Sequence, residues 1–372
     1  MNWVVELKKI LSHNPLANRD IPINNDRIIL YGAGKMGEMA LDLMSTVDIK
    51  PRYIIDQKVR GFLRDIKVIA PEDIPKEDLN KMTVLVCIVT IPFNPIYQFL
   101  HSLGCKDVRH FYDFTEIVLK NTFQNGWKVY TLNNNDLNKI EKVCRALEHD
   151  NTSIAHYLQF LWWRLRAIEY IDNRYPVRSN EKYFNILDFV NVTKHESFLD
   201  GGAHTGETIK RFIQRVDGGF EHIWAFEPDK RNLTQLRQNI VNIPQNKISL
   251  YDSALSDSDG ESMFIDNLDF ASNIHADGAQ CVKSIKIDTL EIAPTMIKLH
   301  LEGKEFSALK GAYNIIKKHR PILMVLADHN EDGLYKIANN LIDFSEYTLY
   351  FYLHDYCGNS AVFYAIPNER IK

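Results

Sequence analysis

Short apolar runs alternate with stretches of helical spacing along this chain, and the alternation starts twice. The first start is Arg27-Ile28-Ile29-Leu30-Tyr31, after which Met36, Met39, Ala40, Leu43 and Met44 recur at helix-face intervals. Apolar runs at 53–56 and 83–89 read as further strands of the same unit, which is expected to end near Phe114. The second start lies at Ser197-Phe198-Leu199-Asp200. It is followed by Ile209, Phe212, Ile213 and Val216 on one helical face, a strand over 223–226, a helix marked by Leu233, Leu236 and Ile240, and a third strand over 248–251. Two hairpin strands are expected around 262–265 and 282–287. Strands over 296–301 and 322–327 bracket a helix with Phe306, Leu309, Tyr313 and Ile316 on its apolar face. Aromatic strands over 347–353 and 361–366 complete the pattern. Strands that alternate with helices predict parallel sheets. Between the two units, 137–147 and 154–171 have helical spacing. The second stretch carries Trp162 and Trp163, and such an aromatic stripe is expected to pack on the second unit rather than to do chemistry.

Composition narrows the classes. The 372 residues are 45% hydrophobic and 25% charged, which suits a chain with real cores, and a net charge of -4 offers no general attraction for phosphate backbones. Nucleic acid is therefore not an expected partner. No apolar run approaches the roughly 20 residues that a bilayer requires. The run at 84–89 reads as a buried parallel strand instead. Cys87, Cys105, Cys144, Cys281 and Cys357 are scattered without a paired spacing, which points away from a disulfide framework or a structural zinc site. With no basic-then-apolar leader pattern at Met1 to Lys9, the expected setting is cytoplasmic.

Ligands of open α/β sheets sit beyond the carboxyl ends of the strands. In the second unit those ends carry Asp200, Glu227, Asp252, His300 and Asp328, with His329 beside the last. Asp200-x-Gly202-x-x-x-Gly206 places glycines at a sharp strand-to-helix turn, and Glu227 stands at the next strand end, where a carboxylate accepts hydrogen bonds from ribose hydroxyls. The pair predicts an adenosine-type ligand. A glycine turn alone is a common structural device.

From Phe198 to Thr208, and again at Ala225-Phe226-Glu227-Pro228, the chain resembles the cofactor loop and ribose-binding strand end of FkbM-type methyltransferases. Ser253-Ala254-Leu255-Ser256-Asp257 with Asp259-Gly260-Glu261 is similar to the family's third block. Ile297-Lys298-Leu299-His300-Leu301-Glu302-Gly303 with Leu309-Lys310-Gly311-Ala312 and Arg320-Pro321 is similar to its most diagnostic one. The resemblance spans about 183–366. It implies S-adenosylmethionine as cofactor, held by Asp200, Gly202, Ala203, His204, Thr205, Gly206, Glu227, Pro228, Asp252, Ser253 and Ala254. It also implies a seven-stranded class I methyltransferase sheet. Two positions depart from the family pattern. His300 stands where an aspartate is usual, and Leu326 or Ala327 where a glutamate is frequent, which leaves substrate and mechanism open. The expected reaction is attack of a hydroxyl on the sulfonium methyl. His300, whose ordinary pKa suits base work, and Glu302 are the catalytic candidates, each with a plain structural alternative at a strand end. Asn273, in a polar loop with His275 and Asp277, together with Asp328 and His329, is a candidate for acceptor contacts. The spacing of His300, Asp328 and His329 resembles no dedicated metal site, so no metal is expected.

In the first unit, Gly32-x-Gly34-x-x-Gly37 opens a helix after a strand and Asp56 ends the following strand, which is a dinucleotide fingerprint in its proper context. It also resembles the small nucleotide-binding domain that precedes bacterial sugar acyltransferases. A bound nucleotide-sugar, bound NAD(P) and an empty docking scaffold all remain open there. The expected organisation is two Rossmann-like α/β domains, residues 1–118 and the methyltransferase domain 183–372, joined by a helical connector over 119–182. The leading expectation is O-methylation of a sugar hydroxyl in glycan or polysaccharide biosynthesis, with a small-molecule or glycan acceptor and homo-oligomerisation left open. An NAD(P)-dependent sugar oxidoreductase and a non-catalytic cofactor-binding scaffold are the alternatives.

Overall fold

Two parallel sheets organise the computed structural model, which describes residues 2–13, 27–118, 129–179, 182–265, 273–274, 280–329 and 332–372. The first is built from β1 (Ile28–Tyr31), β2 (Ile54–Ile55), β3 (Gly61–Leu63), β4 (Ile66–Ile69), β5 (Thr83–Val86) and β6 (Asp107–His110), in the order β3-β4-β2-β1-β5-β6. All its pairings are parallel except the β3–β4 hairpin. Every residue of β1 and β5 is buried, because α2 (Lys35–Ser45), α3 (Phe93–Ser102) and α4 (Phe111–Val118) leave separate apolar clusters on the two faces. Burial on both faces explains why these strands read as unbroken apolar runs. Within α2 the buried positions are Gly37, Ala40, Leu41 and Met44, whereas Met36 and Met39 are only partly buried.

Two helices connect the units: α5 (Asn134–Leu147) and α6 (Asn151–Arg166). α6 ends five residues before the helical pattern in the sequence does. Ala167 takes a left-handed conformation (φ 51°) and its N–H returns to Trp163 O at 2.7 Å. Ser153 through Leu165 are all buried, and Tyr157 and Phe160 pack on Phe351 of the second sheet. The first helix, α1 (Trp3–Ser12), also belongs to this core. Trp3, Leu7 and Ile10 sit in one apolar cluster with α5 and α6, Trp3 Nε1 donates to Glu148 at 2.7 Å, and Arg166 Nε donates to Ile10 O at 2.6 Å.

The second large sheet comprises β7 (Glu196–Gly201), β8 (Phe220–Phe226), β9 (Ile248–Tyr251), β14 (Met296–Leu299), β15 (Ile322–Leu326), β16 (Tyr347–Leu353) and β17 (Ala361–Pro367), ordered β16-β17-β15-β14-β7-β8-β9. Five strands are parallel, and β17 runs antiparallel to both of its neighbours, giving the expected seven-stranded sheet with a terminal strand pair. α7 (Glu207–Arg215), α8 (Lys230–Asn239) and α11 (Asp332–Ile342) lie among its connections. The hairpin strands β11 (Gly260–Ile265) and β13 (Gln280–Lys286) form a separate four-stranded sheet with β10 (Ser253–Ser256) and β12 (Asn273–Ile274). Where one helix was expected after β14, two occur, α9 (Glu305–Gly311) and α10 (Tyr313–His319). The chain leaves helical dihedrals at Ala312, and Tyr313 is exposed instead of buried.

The first unit meets the connector and the second unit through polar and aromatic contacts between helices and loops. Tyr112 Oη donates to Asn359 Oδ1 at 2.9 Å, Phe93 N donates to Glu169 at 2.7 Å, and Tyr356 N donates to Val89 O at 2.8 Å. His110, Tyr112 and Trp163 form a three-ring cluster beside them. Tyr112→Phe removes the donor to a buried amide oxygen and is expected to cost about 1–3 kcal/mol. Thermal denaturation should show a lowered midpoint, and an unchanged midpoint would mean that this contact does not couple the two units.

Candidate functional site

After β7 the chain proceeds through β8 and β9 on one side of the second sheet, then returns to β14 and β15 on the other. The order therefore reverses between β7 and β14, and that reversal opens a crevice at their carboxyl ends. Lys298, in the middle of the apolar strand β14, fixes this point. Its Nζ lies 2.8 Å from Asp200 Oδ1, 3.1 Å from Gly201 O and 2.7 Å from Gly202 O, with Lys298 1% and Asp200 0% exposed. Burial pushes the Asp200 carboxyl up and the Lys298 ammonium opposes that rise. Asp200 therefore stands behind the glycine turn and anchors it, and does not line the cavity in front.

The turn itself is tightly constrained. Gly202 has φ +74°, and a Cβ there would lie 2.0 Å from His300 O, so only glycine fits. His204 is also left-handed, at φ +48°, a conformation that costs a non-glycine residue free energy. Its N–H donates to Glu227 Oε2 at 2.7 Å, and Asp229 N–H donates to Oε1 at 2.9 Å. Burial raises the Glu227 pKa and these two backbone bonds counter it. Each carboxylate oxygen keeps further lone-pair capacity for a ligand hydroxyl.

In front of this frame lies a cavity of about 260 Å³, lined by Gly202, Ala203, His204, Glu227, Pro228, Ser253 and Ala254, and also by His300 and Glu302. Thr205, Gly206 and Asp252 do not line it. Gly206 caps α7, Thr205 O accepts from Asn239, and Asp252 is exposed between β9 and β10. Lys182, Tyr183, Asn232 and Lys298 line the cavity without having been singled out in the sequence. Lys298 had a visible signal, a lone cation inside an apolar strand, whereas Lys182 and Tyr183 precede β7 and carry no motif.

A second cavity of about 600 Å³ opens beside the first and shares Lys182, His204, Asn232, His300 and Glu302 with it. Asp328 and His329 line this one, and its far wall is α2 of the first unit, through Lys35, Met36, Glu38, Met39 and Asp42. At the boundary, Glu302 lies between two imidazoles. One oxygen is 3.0 Å from His300 Nε2 and the other is 3.0 Å from His329 Nδ1. Tyr183 Oη lies 2.9 Å from His300 Nδ1. Burial lowers His300 well below its usual range, helped by the Lys182 and His329 charges, and brings His329 down to about 4. Burial also pushes Glu302 up, reinforced by Glu305 and Asp328. Glu302 is left-handed at φ +48° and Gly303 follows at φ +99°. Glu305, which burial raises to about 7, accepts from Leu301 N at 2.6 Å and Gly303 N at 3.1 Å to hold that turn.

Gly32, Gly34, Gly37 and Asp56 border neither cavity. A Cβ on Gly37 would lie 2.2 Å from Gly32 O, so this glycine permits close helix-to-strand packing. Asp56 Oδ2 accepts from Ala33 N at 2.8 Å, while Oδ1 accepts from Lys58 N and Val59 N. Burial raises its carboxyl, but these bonds outweigh that and hold it below its usual value. The side chain of Asn273, and His275 and Asp277, lie outside the described residues.

Residues 200–356 match the model of the methyltransferase FkbM domain. A crystal structure of methyltransferase FkbM from Methylobacillus flagellatus KT shares the fold, with a TM-score of 0.68 at 18% identity, covering 98% of each chain. Weaker likenesses include precorrin-6y C5,15-methyltransferase from Geobacter metallireducens, with a TM-score of 0.31 at 14% identity over 52% of this chain and 94% of that one. Another is the SAH-bound Podospora anserina methyltransferase PaMTH1, with a TM-score of 0.30 at 11% identity over 66% and 98%. No curated protein matches the sequence.

Lys298→Met strands the Asp200 carboxylate in the core and is expected to destabilise the fold by about 3–5 kcal/mol. Asp200→Asn combined with Lys298→Met should recover much of that loss. Denaturant unfolding of the single and double variants checks the coupling, and equal losses in both would show that the pair is not coupled.

Proposed function

We propose that this protein transfers the methyl group of S-adenosylmethionine to a hydroxyl oxygen of a sugar-containing acceptor, a reaction of glycan or polysaccharide assembly. The observation that carries the reading is the pair of confluent cavities. One is framed by the glycine turn and Glu227, the other is open to a larger ligand, and they meet at His300 and Glu302. The match of residues 200–356 supports the methyl donor. The acceptor class is supported by the second cavity's lining, where Lys182, Asp328, Asp355 and Asn359 alternate with Met36, Met39 and Tyr112. Polar groups interleaved with flat apolar surface suit a polyhydroxylated ring.

Bound S-adenosylmethionine supplies an electrophilic methyl. Glu227 and the backbone around Gly202 would hold its nucleoside end in the first cavity. The walls of the second would align an acceptor hydroxyl with that methyl, and such alignment alone provides much of a rate enhancement. The cluster of His300, Glu302, Asp328 and His329 would take the hydroxyl proton as the methyl passes to oxygen and S-adenosylhomocysteine leaves. Proton removal by a positioned group contributes about 10²–10⁴-fold.

Calorimetric titration with S-adenosylmethionine and S-adenosylhomocysteine is expected to show micromolar binding, weakened about 10- to 100-fold in Glu227→Ala through loss of charge-assisted hydrogen bonds. Folded protein that binds neither compound would remove the reading altogether. Labelled-methyl transfer to a panel of sugars and nucleotide-sugars then tests the acceptor, and firm cofactor binding without transfer to any of them would exclude that class. Met39→Arg, which narrows the second cavity from the α2 side, should raise the acceptor KM while leaving S-adenosylhomocysteine affinity unchanged. Equal effects on both ligands would contradict the assignment of separate cavities.

A further inference from the structure

His300 and Glu302 leave the end of β14, and His329 follows the end of the neighbouring strand β15, so the sheet brings three candidate ligands together that are distant in sequence. One donor atom from each lies within 4.8 Å of the others, and both imidazole-to-carboxylate contacts are 3.0 Å. Ligand atoms about 2.1 Å from a divalent ion and at right angles to each other stand about 3 Å apart, so the spacing is that of two adjacent ligand pairs. The remaining ring nitrogen of His300 has an outer partner, Tyr183 Oη at 2.9 Å from Nδ1. Imidazoles that bind metals are oriented in this way through the nitrogen not used for ligation. His329 Nε2 lies 3.8 Å from Asp328 Oδ2, a longer charge contact. Glu302 is held there in a left-handed conformation, which costs a non-glycine residue free energy.

We infer that His300, Glu302 and His329 form a binding site for a first-row divalent cation at the junction of the two cavities. Two imidazoles and a carboxylate suit manganese, iron, cobalt, nickel or zinc better than magnesium or calcium. The surrounding charge is compatible. Besides Glu302, the second cavity is lined by the carboxylates Glu38, Asp42, Asp328 and Asp355 against the cations Lys35, Lys182 and Arg231, while Lys298 is neutralised by Asp200. Asp328 Oδ1 is buried and has no hydrogen-bond partner among the described residues. A cation held by three protein ligands retains open positions toward the cavity, where oxygen atoms of the acceptor bind and are polarised. That role rests on the methyl-transfer reading. The cation site itself does not depend on that reading.

Full-length protein stripped with a chelator and titrated with Mn²⁺, with free ion followed by electron paramagnetic resonance, should bind one equivalent. His329→Ala and Glu302→Gln should abolish saturable binding, and Tyr183→Phe should weaken it by about 10- to 100-fold. S-adenosylhomocysteine affinity and the thermal midpoint, measured on the same samples, report folding and the donor pocket separately, and in His329→Ala both should persist. Absence of stoichiometric Mn²⁺ uptake by folded wild type, or uptake undiminished in His329→Ala and Glu302→Gln, overturns the site and leaves the cluster as a hydrogen-bonded one. If Mn²⁺ binds as expected and S-adenosylhomocysteine does not, the cation site stands and the methyl-transfer reading fails.

Discussion

A single buried ammonium holds the candidate site in shape. Lys298 projects from the central strand of a sheet whose other residues there are apolar, and its three hydrogen bonds go to Asp200 and to the two carbonyls of the glycine turn. Taking both charges out of water is costly, and the cost is offset only because each finds the other at hydrogen-bonding distance. The same bonds set the backbone at Gly201 and Gly202. That placement puts Gly202 against His300 O and leads into the left-handed His204, whose N–H meets Glu227. The first cavity and the imidazole pair thus hang from one ion pair on two adjacent strands.

A division of labour between backbone and side chains follows. At the first cavity, shape comes from a fixed turn, and Glu227 is held by two backbone donors. Around the second cavity, the wall is made of residues from many segments, including those after β14 and β15, the turn between β16 and β17, α8, and α2 and α4 of the other unit.

Much of this was legible in the sequence where local chemistry dictates it. Apolar runs gave both sheets, and polar residues at strand ends marked Glu227, His300, Asp328 and His329, all of which line the two cavities. Asp200 and Asp252 show the limit of that rule. A strand-end carboxylate can face into the core, onto a cation, or out to solvent, and periodicity does not distinguish these. The Met36 and Met39 stripe looks like core because a helix face toward a cleft has the same spacing as one toward a sheet. Lys182 and Tyr183 enter from a segment without motif, and only the tertiary arrangement brings them in. The helix break at Ala312 left no local signal.

The position of α1 has a consequence for how the chain is closed. Its three buried residues pack with α5 and α6, so the whole of the first sheet is enclosed in sequence between two pieces of one core. Packing of α1 against α6 ties both ends of the first sheet's segment to the same body. That closure is made by ten residues that touch neither cavity.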